Sequence, residues 1–148
     1  MHTPLTRASW LFVGAWSIHT VDHARRGVDA TTDAVVWAGT AVAIIAAVSI
    51  TLVLARHPTA PFVAAVVFGA TAVGVSLTHL LPEWGVLSDP ILVDSTTDRW
   101  SVVAVGLEIA AAAWLFGVAW QVLRANDYSP RIDPIDWNRT GTAVTTSV

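Results

Sequence analysis

His19, Asp22, His23 and Arg26 stand three and four residues apart at the end of an apolar run, so a helix through them carries all four on one face. Histidines at i and i+4 on a helix can grip one metal ion between them. Two later apolar runs carry His79 and Glu108. Together these residues form a set of three imidazoles and one carboxylate suited to zinc, iron or copper. Asp22 is either a further ligand or the group that orients a histidine. The chain has no cysteine, which excludes thiolate sites, iron–sulfur clusters and covalently attached haem, so any metal must use His and carboxylates.

The same residues admit other chemistry. Two histidines at one depth on separate helices can ligate haem b axially, here His79 with His19 or His23. Ala70, Gly74 and Ser76 would then make room for the macrocycle, and Arg26 and Arg99 would meet its propionates. Haem gives no reason to bury Asp22 and Glu108 beside the ligands, whereas a bare ion or a proton or metal-ion pathway does. A hydrogen-bond network that only holds helices together is the plain structural reading. Arg25 and Arg26 are expected to reach from the helix end into the interface. No nucleophile triad, phosphate loop or nucleotide fingerprint is present.

These residues need helices in a bilayer to position them. The composition is 54% hydrophobic and 13% charged, with a mean hydropathy of +0.59, too apolar for an ordinary soluble domain. A helix needs roughly 20 mostly apolar residues to cross the hydrocarbon core. Four stretches qualify: about 4–26, 34–55, 59–81 and 100–123. An all-α, integral membrane four-helix up-down bundle of the cell membrane is therefore predicted over residues 1–123, followed by a polar cytoplasmic tail over 124–148. The first stretch ends in polar residues and lacks a small-residue cleavage site after its apolar core, so it is read as retained. Thr3-Pro4, Thr32-Asp33 and Thr97-Asp98 mark helix starts, and Pro58 and Pro82 mark stops.

All eight basic residues are arginine, and the net charge is −3, so nucleic acid is not an expected partner. Arg7, Arg56, Arg124, Arg131 and Arg139 fall on one side of the bundle, which makes both termini cytoplasmic by the positive-inside rule. With both termini inside, the positions of His19, His23, His79 and Glu108 along their spans put them in the outer half, and ionisable groups in a bilayer turn inward and pair. The acidic segment from Pro82 to Asp98 is long enough to fold over them as a lid. Ala70/Gly74, Gly106/Ala110 and Ala113/Gly117 are small-residue pairs expected at helix contacts. The stretches at 29–39 and 94–106 share their opening residues, which suggests two pseudo-symmetric helical hairpins. The bilayer is the expected partner, and the small size also suits a homo-oligomer or an accessory subunit of a larger membrane complex, with or without haem.

Overall fold

The structure is a computed structural model that describes residues 2–27, 30–93 and 97–126. Four helices account for most of them: α1 (His2–Arg26), α2 (Asp33–Leu54), α3 (Ala60–Leu80) and α4 (Arg99–Asn126), with no strand among the described residues. The predicted tail, from 127 onward, lies outside the described residues, as do residues 28–29 and 94–96.

The helix starts follow local chemistry. Thr32 Oγ1 accepts the backbone N–H of Val35 and caps α2. Asp98, rather than Thr97, caps α4 by accepting the N–H of Ser101 at 3.1 Å. Thr97 instead donates its hydroxyl to the Ile91 carbonyl at 2.6 Å. Pro61 opens α3, where its missing N–H costs nothing.

The helices run alternately up and down. α4 packs closely on both α1 and α3, α2 packs mainly on α3, and α1 touches α2 only lightly. α1 and α3 are therefore diagonal partners whose side chains meet across the bundle axis. Away from the α1 C-terminus that axis is apolar: Leu5, Phe12, Phe68 and Leu115 are buried among Ala8, Ala64, Ala112 and Ala119. Phe12 and Phe68 meet edge to face with ring centroids 4.6 Å apart. At the other end the axis is polar, and there α1 and α3 finish while α2 and α4 begin.

Three helices, α2, α3 and α4, are long and apolar enough to cross a membrane. At about 1.5 Å per residue, the 22 residues of α2 extend roughly 33 Å. α1 has the length but not the composition, because its last two turns carry the polar stripe. Its outer face is nonetheless apolar, with Trp10, Leu11, Trp16 and Val21 exposed.

Two packing expectations are corrected. Ala70, Gly74, Gly106, Ala110 and Ala113 face outward, and a Cβ added at Gly74, Gly106 or Gly117 would meet nothing. The close contacts use Ala64, Ala104, Ala112 and Ala119, together with Gly69, whose added Cβ would lie 3.1 Å from the Phe116 ring. A small-residue spacing identifies a stripe but not the face it occupies, and these helices are rich in alanine all round. The pseudo-two-fold pairing of hairpins is also not realised in the packing, since α4 is held on both sides and α2 on one.

Candidate metal centre

The polar stripe of α1 faces the bundle interior. His19 and Asp22 are buried, and His23 is half-buried. From α3, the final turn brings His79 across the axis. The His19 ring lies 4.7 Å from that of His23 and 4.9 Å from that of His79, with 5.7 Å between His23 and His79, all between centroids. One ring nitrogen from each of the three falls within 4.8 Å of the others. Three imidazoles thus surround one point, contributed by two helices.

Two of the three are oriented by fixed acceptors. His19 Nδ1 is paired with Glu108 Oε2 from α4. With Glu108 ionised and the ring neutral, Nδ1 carries the proton and Nε2 presents its lone pair. That Nε2 is buried and has no hydrogen-bond partner among the described residues. His79 Nδ1 donates to the backbone carbonyl of Asp89 at 3.0 Å, which leaves its Nε2 as the lone-pair nitrogen as well. Carboxylate and carbonyl partners of this kind set the tautomer of metal-binding histidines. Glu108 is therefore placed behind His19, and Asp22 is engaged with arginines, outside the group of three gathered imidazoles.

Around the imidazoles lies a network of ions. The Arg26 side chain is only 1% exposed; it meets Asp89 Oδ2 at 2.8 Å and Asp22 Oδ2 at 3.5 Å. Arg25 stands at the rim, 2.8 Å from Asp22 Oδ1 and 2.9 Å from Asp98 Oδ1. Arg26, expected to reach into the interface, is instead buried, because Asp89 comes down from the loop to meet it. A guanidinium with a carboxylate at hand loses less by burial than one without. Arg99, expected beside it as a second cofactor contact, is exposed at the first residue of α4, with no hydrogen bond or ion pair to the three imidazoles among the described residues.

Asp98 lies just ahead of α4. Its carboxyl is held below the usual range, first by the Ser101 backbone N–H and then by Arg25. The four carboxylates of this cluster, Asp22, Asp89, Asp98 and Glu108, stand with two guanidinium groups, Arg25 and Arg26; Glu108 pairs with His19, and Asp89 also lies 3.5 Å from His79 Nδ1. With neutral imidazoles, this end of the bundle carries excess negative charge.

Asp89 belongs to a strap that closes the end of the bundle. Asp89 N–H donates to Thr78 O at 2.9 Å and Ile91 N–H to His79 O at 3.1 Å, satisfying the last carbonyls of α3. Trp84 Nε1 donates to Leu77 O, and Thr32 Oγ1 to Val86 O, both at 2.8 Å. Ser88, Asp89 and Ile91 are buried as a result. The sequence reading sets Asp89 in an acidic lid whose surface would attract cations; the structure buries it against Arg26.

No family model, curated protein or solved structure matches the chain, so the site rests on its own residues.

Proposed function

We propose that the protein is a multi-pass membrane protein that binds one transition-metal ion, zinc, iron or copper, through His19, His23 and His79, for redox chemistry or metal handling near the outer leaflet. The observation that carries this reading is the buried, unpartnered Nε2 of His19, held beside two more imidazoles. A buried polar atom without a partner is costly, and a cation accepting its lone pair removes that cost. The excess of carboxylates over arginines supports the same reading, because a bound cation offsets it. When present, the ion would supply Lewis-acid or electron-transfer chemistry. Glu108 and Asp89 hold the His19 and His79 rings in orientation, Asp22 and Arg26 balance charge, and the strap excludes solvent. The apolar outer face of α1 supports four spans rather than three.

Haem b is the weaker reading. Its axial ligands must stand on opposite faces of a macrocycle, whereas these rings lie against one another with a third beside them. Arg26 is already committed to Asp22 and Asp89.

Elemental analysis and an optical spectrum of detergent-purified protein test the proposal. One ion per chain is expected in the wild type and none in His79→Ala, with no Soret band. A Soret band would establish haem instead. Protein that holds neither after incubation with zinc, iron(II) or copper would point to a helix-locking network or proton path in a cofactor-free subunit.

A further inference from the structure

His23 differs from the other two imidazoles in what holds it. Its Nδ1 lies 3.1 Å from Arg26 Nη2 and 3.2 Å from Thr31 Oγ1. A guanidinium has only N–H donors, so His23 Nδ1 must be the accepting nitrogen. A neutral ring then carries its proton on Nε2. His19 and His79 have the opposite arrangement, with Nδ1 protonated toward Glu108 and toward the Asp89 carbonyl.

A metal ion can take His23 in two ways. Through Nδ1 it displaces Arg26 directly. Through Nε2 it requires the ring proton on Nδ1, where an arginine N–H cannot remain. Either way, Arg26 and the ion cannot both hold His23. The Thr31 hydroxyl, which can accept as well as donate, is already in place to receive an Nδ1–H. Arg26 meanwhile keeps a strong partner in Asp89 when it lets go.

We infer that Arg26 is a positioning residue that competes with the metal for His23: two fixed imidazoles, His19 and His79, form a standing clamp, and His23 joins through Nε2, the route for which Thr31 already stands at Nδ1, with its proton moved to Nδ1 and Thr31 in place of Arg26. The inference rests on the metal reading and deepens it. A centre with one releasable ligand suits an ion that is taken up and passed on, rather than one locked in for structure.

The test uses the full-length protein in detergent with 15N-labelled histidine, observed by NMR before and after addition of Zn2+ alone. In the metal-free protein His23 is expected to be protonated on Nε2, and His19 and His79 on Nδ1. With zinc, His23 is expected to change to the Nδ1–H form while the other two keep their protonated nitrogen. Zinc binding with His23 unchanged, or His23 already Nδ1-protonated without zinc, would overturn the inference and leave the metal site intact. Failure to bind zinc at all would remove both.

Arg26 is a poor place for the companion variant, since its loss takes from Asp89 its arginine and from Asp22 one of two. Thr31 lies in a turn between α1 and α2, so Thr31→Val leaves the bundle intact. It should weaken zinc binding about tenfold, as loss of a hydrogen-bond partner behind a ligand does, and Thr31→Ser should restore the affinity. Equal zinc affinity in Thr31→Val and wild type would also overturn the inference.

Discussion

Glu108, Asp89 and Asp98 are three acids with three different tasks, and substitution separates them. Glu108→Gln keeps the shape but removes the charge behind His19, so zinc affinity should fall roughly 10–100-fold in competition with a chelator while the fold persists. Asp89→Asn leaves the buried Arg26 without its nearest carboxylate. Breaking a buried ion pair typically costs roughly 3–5 kcal/mol, and thermal unfolding in detergent should report a loss of that order. Arg25→Gln removes a half-exposed guanidinium from the rim and should cost little by comparison. Asp98 acts through its charge and its cap. Its folded-state pKa lies below its unfolded value, so its contribution is complete above the unfolded pKa and is lost as pH falls through the folded one. The stability gap between wild type and Asp98→Ala should be constant above about pH 5 and close below about pH 4. A gap that grows on acidification would contradict the role given to this carboxylate.

The helices divide labour along their length. The half built from Leu5, Phe12, Phe68 and Leu115 holds the bundle together, and the opposite half holds the site. Phe68→Ala should therefore destabilise without emptying the centre. Lipid tails are as apolar as phenylalanine, so the expected loss is the packing and cavity part alone, roughly 2–3 kcal/mol rather than the 3–5 of soluble cores. Zinc stoichiometry measured on the folded fraction should stay at that of the wild type. The helices themselves were legible from hydropathy: the stretch expected over 100–123 is found as Arg99–Asn126, and that over 34–55 as Asp33–Leu54. The convergence of His19, His23 and His79 was legible too, because helical spacing sets the α1 stripe and alternation of the spans sets the depth of His79. What spacing could not reveal was which neighbour each side chain takes. Glu108 bonds to His19, Asp89 descends onto Arg26, and Thr31 reaches His23, and all three contacts depend on the packing of α4 and on the path of two loops. The small-residue pairs were misplaced for the same reason: composition is periodic around an alanine-rich helix, and only packing selects the face.

Seen as a whole, the molecule presents apolar side chains outward along all four helices, including Trp37, Ile44, Ile45 and Val48 on the little-covered α2. We propose that lipid covers this surface, with a second copy or a larger membrane complex as a further occupant of the α2 face. The arginine distribution sets the proposed orientation, with the strap outside. The natural chain lacks cysteine, so single thiols report orientation cleanly. In intact cells Val86→Cys, on the exposed strap, should react with an impermeant maleimide, and Thr3→Cys should react only after lysis; the reverse pattern would invert the protein in the membrane. The central claim is that three imidazoles on two helices share one ion. X-ray absorption at the zinc edge of the loaded full-length protein tests it most directly. The expected spectrum has nitrogen neighbours at about 2.0–2.1 Å with the outer-shell scattering of three imidazole rings, reduced to two in His23→Ala. A shell of oxygens alone, or a zinc signal unchanged when His19 and His79 are both replaced by alanine, would contradict it.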